Sequence, residues 1–214
     1  MSPEAEAFPP EDFQKLLEAE ALRTGLGFRE PTFAALARYL SELDSWRRRV
    51  NLTGKLAPED LVAHALESAA GMALIPLGAR LLDIGSGGGF PGVPLAIARP
   101  DLQVTLLEPR QKRASFLRHI LRTVPVENAA VFRGRIEQLT SPDYEVAATR
   151  AVGGIAELID GAPFLRPSGL FLSWTTEPES LAASLSAHFF LEQTRTQLPS
   201  QAGRRSIAVF RKKG

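Results

Sequence analysis

Apolar residues recur at a helical period over the first third of this 214-residue chain and in short strand-like runs over the rest. Phe13, Leu16, Leu17 and Ala21 share one face of a predicted helix that begins at Pro10, carries acids in its first turn and stops at Gly25. Phe33, Leu36, Leu40 and Leu43 form the stripe of a second helix after Pro31, and a third starts at Pro58. Past Pro76 the pattern changes. "ARLLDIG", "LQVTLLE", "NAAVFRG", "YEVAATRA" and "SGLFLSWTT" read as strands, and helical stretches such as "QKRASFLRHILRTV", "GIAELIDGAPFL" and "EPESLAASLSAHF" separate them. Two last strands, "FLEQTRTQ" and "SIAVFRKK", leave no room for a helix between them and predict an antiparallel hairpin at one side of the sheet. The expected architecture is α/β, a Rossmann-like, mostly parallel sheet of seven strands with an N-terminal helical extension. Residues 1–9 are expected as a disordered tail, 10–76 as the extension and 77–214 as the sheet domain, all one compact unit.

The stretch "LLDIGSGGGFPG", residues 81–92, sets five glycines behind a strand that ends in an acid. Gly87 to Gly92 match G-x-G-x-x-G, which alone is weak evidence for a dinucleotide. Asp83 at the strand end would repel a pyrophosphate and suits a ligand with a positive group such as an ammonium. Pro91 and Pro94 remove backbone donors from the helix start that a phosphate would need. Glu108, ending the next strand, can take both hydroxyls of a ribose. A nucleoside lacking phosphates, such as S-adenosylmethionine, fits this pattern better than NAD.

"DIGSGGGFPGVPLAIARP" followed by "VTLLEPRQKRASFLR" resembles the bacterial small-subunit ribosomal RNA guanine-N7 methyltransferases of the RsmG type, also called glucose-inhibited division protein B. The likeness takes in Trp46 with Asn51, Leu52 and Thr53, the set His64, Glu67 and Ser68, then "GRIEQL", "TRA" and "RRSIAVFRK". It implies a class I S-adenosylmethionine-dependent methyltransferase fold acting on N7 of a guanine in 16S rRNA. It also implies cofactor contacts at Gly85, Phe90, Ile136, Glu137 and Arg150, to which the loop reading adds Asp83, Gly87 and Glu108. Trp174 stands where the family often has a lysine, Glu67 where an aspartate is usual, and Ser206 where a histidine is usual.

Composition narrows the chemistry. No cysteine is present, which excludes disulfides, thiolate metal sites and the covalent attack that C5 methylation of a pyrimidine requires. The three histidines have no ligand-like spacing, so no metal is expected. After the fourth strand the chain reads "TRAVGG", without the Asn/Asp-Pro-Pro-aromatic segment used on exocyclic amines. No apolar run approaches the roughly 18 residues of a membrane span, and the acidic, proline-rich start does not resemble a secretory signal. A cytoplasmic monomer is expected, with 16S rRNA or the small ribosomal subunit as partner and no membrane. Net charge is only +1, so RNA affinity must come from local clusters. Candidates are Arg47 and Arg48, then Arg110, Lys112 and Arg113, then Arg133, and Arg205 within a basic C-terminus that also holds Arg204, Arg211, Lys212 and Lys213. Trp46, Phe33 and His64 are expected to be structural. Three alternatives stay open: a methyltransferase for a small molecule or protein, an NAD(P)-dependent oxidoreductase, and an RNA-binding relative without catalysis.

Overall fold

A computed structural model describes residues 7–54, 56–196 and 205–214. Helices α1 (Pro10–Thr24), α2 (Glu30–Arg47) and α3 (Pro58–Ala69) come first, and a 3-10 turn (Ala70–Leu74) leads to strand β1 (Arg80–Ile84). Then follow α4 (Gly92–Ala98), β2 (Gln103–Leu107), α5 (Gln111–Thr123), β3 (Ala129–Phe132), a 3-10 turn (Ile136–Gln138) and β4 (Tyr144–Arg150). The chain ends with α6 (Ile155–Leu158), β5 (Leu165–Thr175), α7 (Pro178–Leu185), β6 (Phe189–Arg195) and β7 (Ser206–Lys212).

The seven strands lie in the order β3-β2-β1-β4-β5-β7-β6. β1 to β5 are parallel, and β7 inserts antiparallel between β5 and β6. Strand order reverses beside β1, where chain connections leave for opposite faces and open a crevice at the carboxyl edge. Side-chain alternation divides the interior into two layers. Leu81, Val104, Val146 and Leu172 join Leu17, Leu40, Leu66, Val93 and Phe116 on one face, so α1 to α5 share a single core with the sheet. Leu82, Ile84, Ala147, Phe171 and Phe210 face Ile155, Ile159 and Leu185 on the other. Burial on both faces explains why the central strands read as near-continuous apolar runs.

Two segments differ from the expectation. Residues 1–6 of the expected tail lie outside the described residues, but Phe8 is anchored. Its N–H donates to Asp44 Oδ2 (3.0 Å), its carbonyl accepts from Ser41 Oγ (2.8 Å), and its ring packs edge-on against Phe13. The predicted helix "GIAELIDGAPFL" shrinks to the four residues of α6, because Gly161 and Ala162 adopt left-handed backbone and Pro163 follows. No helix among the described residues is long and apolar enough to cross a membrane.

Candidate active site

β1 delivers the chain to its carboxyl end, where Gly85 turns with φ +71° and donates its N–H to Leu107 O (2.9 Å). A Cβ there would stand 2.7 Å from Val152 Cγ2, so both the turn and the neighbour demand glycine. Gly87 N–H donates to Glu108 Oε2 (3.0 Å), and Gly92 N–H, opening α4, donates to Asp83 Oδ2 (3.1 Å). A Cβ on Gly92 would collide with Leu106 and Asp83. From α2, the buried Tyr39 hydroxyl donates to Gly88 O (2.7 Å) and fixes the crest of the loop.

The two acids are therefore placed beneath the loop. Asp83 is fully buried, and its Oδ1 has no hydrogen-bond partner. Burial pushes its carboxyl up to about 7, the nearby Glu108 adds to this, and the Gly92 N–H opposes it. The sequence reading has Asp83 meeting a cationic ligand head-on; in the structure it braces α4 and keeps one acceptor in reserve. Glu108 is also buried, with Oε1 accepting from Arg110 N–H (2.8 Å). Each carboxylate oxygen has two lone pairs, so ribose hydroxyls can be accepted on top of these backbone bonds.

A cleft of about 1030 Å³ opens beside this loop, among Arg110, Arg133, Gly134, Arg135 and Glu137. Glu137 is exposed on its rim, whereas Ile136 points into the second core layer near Leu107. Phe90 and Arg150 belong to a different cluster. Arg150 Nη2 lies 2.8 Å from Glu67 Oε2, though misaligned for a hydrogen bond, and Nη1 donates to His64 O (3.2 Å). Its guanidinium sits over the Phe90 ring at 5.8 Å, and His64 meets that ring edge-on. Arg205 approaches the same carboxylate at 3.4 Å and donates toward His64 Nε2 (3.3 Å). Burial, with Glu67 opposing, lowers Arg150 to about 10; burial and the two arginines lower His64 to about 3, so its ring is neutral.

The structure divides the eight expected cofactor residues: Asp83, Gly85, Gly87 and Glu108 meet at the loop, Glu137 lines the cleft, Phe90 and Arg150 lie against α3, and Ile136 is turned into the core. The orphaned Asp83 oxygen and the glycine-lined turn fit a nucleoside bearing a cationic tail. Trp174 spans from β5 to α3, with Nε1–H donating to Glu67 O (2.8 Å), and Gly71 leaves it space. Ser206 is buried on β7 and donates to Thr175 O (3.3 Å). Sequence reasoning missed Tyr39 and Val152. A lone tyrosine on an apolar helix stripe carries no signal of a loop contact; Val152 carries one only through its proximity to "TRA".

Among the described residues the basic candidates divide into those with protein partners and those without. Arg47 and Arg48 both pair with the buried Asp44, at 2.5 and 2.8 Å, and anchor the end of α2. Arg113 donates to Asn51 O (3.0 Å) and Arg205 is held by Glu67. Arg211 pairs with Glu192, while Lys212 and Lys213 donate to backbone carbonyls; Arg204 lies outside the described residues. Arg110, Lys112 and Arg133 are exposed without an acidic partner among the described residues. Arg49, Arg110, Lys112 and Arg113 also line a second cleft of about 550 Å³. Arg110 borders both clefts and makes them one basic track. Among the described residues no cluster could hold a metal ion.

A doubly wound sheet with a glycine turn backed by acids at the ends of β1 and β2 is the architecture of class I methyltransferase-type proteins. Solved structures agree on the fold. A putative O-methyltransferase from Klebsiella pneumoniae matches with a TM-score of 0.63 at 15% identity, over 96% of this chain and 99% of that one. M. jannaschii TYW2 in complex with AdoMet matches at 0.55 and 16% identity, over 70% of this chain and 75% of that one. The family model of GidB, rRNA small subunit methyltransferase G, matches residues 32–207, and the chain belongs to that family. Ribosomal RNA small subunit methyltransferase G of Sorangium cellulosum (strain So ce56) is 43% identical over 176 residues, 77% of this chain and 71% of the relative.

Proposed function

We propose that this protein transfers a methyl group from S-adenosylmethionine to N7 of a guanine in small-subunit ribosomal RNA. The observation that carries the reading is family membership across the span that contains the glycine loop, both buried acids and Arg150. Glu108 is assigned to the ribose, Gly85, Gly87 and Phe90 to the loop side of the cofactor, Ile136 and Glu137 to the adenine, and Asp83 and Arg150 to the amino-acid end. When bound, the cofactor supplies an electrophilic methyl on a sulfonium. Guanine N7 has a lone pair and no proton, so the chain needs no general base; its work is to hold base and donor in line. Methyl transfer would leave positive charge on the purine, which the chain around the base would have to bear. Carboxylates near the base would stabilise that charge. The exposed track of Arg49, Arg110, Lys112 and Arg133 is assigned to RNA phosphates. An enzyme of this kind works in the cytoplasm, and a monomer suffices because one chain supplies every residue named.

The test uses labelled methyl donor with small subunits, or naked 16S rRNA, from a strain lacking the gene. Label is expected in the RNA, at a guanine that becomes cleavable by borohydride and aniline. Label in protein or small metabolites, with none in RNA, would overturn the reading.

A further inference from the structure

The carboxyl ends of β4 and β5 border another cleft, of about 450 Å³ and open to solvent, whose walls include Arg150, Val152, Ser173, Arg205 and the exposed Glu157 and Glu177. Its size suits a single planar ligand group. It adjoins the glycine loop without being part of it: Val152 lines the cleft and also packs on Gly85, whereas Asp83, Glu108, Ile136 and Glu137 do not reach it. Charge on its walls is unevenly committed. Both arginines are drawn to Glu67, at 2.8 and 3.4 Å. The Glu177 carboxylate has no partner among the described residues, and its backbone is fixed at a corner by N–H donation to Thr175 Oγ1 (3.0 Å) before the buried Pro178. Glu157, also on the wall, sits on the short α6 with Oε2 folded back to within 3.4 Å of the Cβ position of Gly154.

We propose that this cleft receives the acceptor guanine and that Glu177 is its specificity-determining residue, accepting the N1–H and N2–H of the base. The proposal rests on the function assigned above. Neutral guanine carries two adjacent donors on its Watson–Crick edge, and a carboxylate accepts both in parallel. Adenine would turn an acceptor toward the same carboxylate and be repelled. Holding that edge leaves N7, on the far side of the ring, open to the methyl group. A guanidinium on the Hoogsteen edge would occupy the N7 lone pair instead, and Glu67 keeps Arg150 and Arg205 from doing so. Methylation at N7 makes the purine cationic and its N1–H more acidic. The bond to Glu177 therefore strengthens as the reaction proceeds, and binding becomes rate acceleration.

The experiment measures kcat/KM for wild type, Glu177→Gln, Glu177→Asp and the control Glu179→Gln, an exposed site outside the cleft. Ligated 16S rRNA carries either guanine or inosine, which lacks the N2 amino group, at the position the wild type methylates. Wild type is expected to prefer guanine by about tenfold or more, the loss from leaving a charged hydrogen-bonding site unpaired. Glu177→Gln should lose at least about tenfold on guanine, and its preference for guanine over inosine should vanish. Glu177→Asp should keep the preference at a reduced rate, Glu179→Gln should match wild type, and adenosylhomocysteine affinity should be equal in all four. A wild-type guanine preference retained in Glu177→Gln would overturn the role of Glu177. A wild type that methylates no guanine would instead overturn the function on which it rests.

Discussion

Between about pH 4 and 6.5 the fold holds both Asp83 and His64 neutral, each against its ordinary state in that range, and with opposite consequences. Burial lifts Asp83 from 3.8 to about 7, while burial and two guanidiniums drop His64 from 6.5 to about 3. Between about pH 4 and 6.5 folded Asp83 holds a proton that the unfolded chain has released, so its contribution to stability falls as pH rises. Over the same window folded His64 lacks a proton that the unfolded chain holds, so its contribution rises. Each slope approaches about 1.4 kcal/mol per pH unit, and the two offset. Asp83→Asn should make stability climb with pH across this window relative to wild type, and His64→Gln should make it fall. Urea denaturation at a series of pH values measures both. Parallel profiles for the three proteins would mean that neither group is neutral in the fold.

At the scale of elements, α2 holds the glycine loop through one bond from Tyr39 to Gly88 O. Tyr39→Phe removes the donor and leaves a buried carbonyl unpaired, which should cost about 1–3 kcal/mol of stability and weaken adenosylhomocysteine binding. Thermal melting with and without that ligand checks it; a variant as stable as wild type would place the loop's support elsewhere. The elements themselves were legible in the sequence, because helices α1 to α3 carry a clear stripe and β1 to β5 alternate with helices. α6 is shorter than its apolar pattern suggests because Gly161 and Pro163, both visible in the sequence, stop it; only the left-handed turn at Ala162, a residue that rarely adopts it, leaves no trace there. The loop and its acids were legible from spacing, but not that both acids turn inward. The pairing of Asp44 with Arg47 and Arg48 was present in the sequence at i,i+3 and i,i+4, and outweighs the appearance of a basic cluster. Glu67 with Arg150 was out of reach of spacing, because only the docking of α3 on β4 brings them together.

A whole-molecule charge of +1 hides an uneven surface, since several of the 25 basic side chains are spent on partners while the run from Arg49 through Arg110 to Arg133 is not. Binding of RNA to such a track releases counterions, so the logarithm of affinity falls linearly with that of salt concentration. Each phosphate contact contributes roughly 0.7–0.9 to the slope. Replacing Arg110, Lys112 and Arg133 together by alanine should therefore flatten the slope by about 2 and weaken rRNA binding at low salt most. Melting temperature should barely move, because these side chains support no packing. Arg47→Ala is the opposite case: it strips one of two cations from buried Asp44, so melting should drop while the salt slope stays that of wild type. Filter binding across a salt series, beside thermal melting, separates the two. A slope unchanged in the triple variant would move the RNA to another face of the molecule, and a flattened slope in Arg47→Ala would return that residue to the interface.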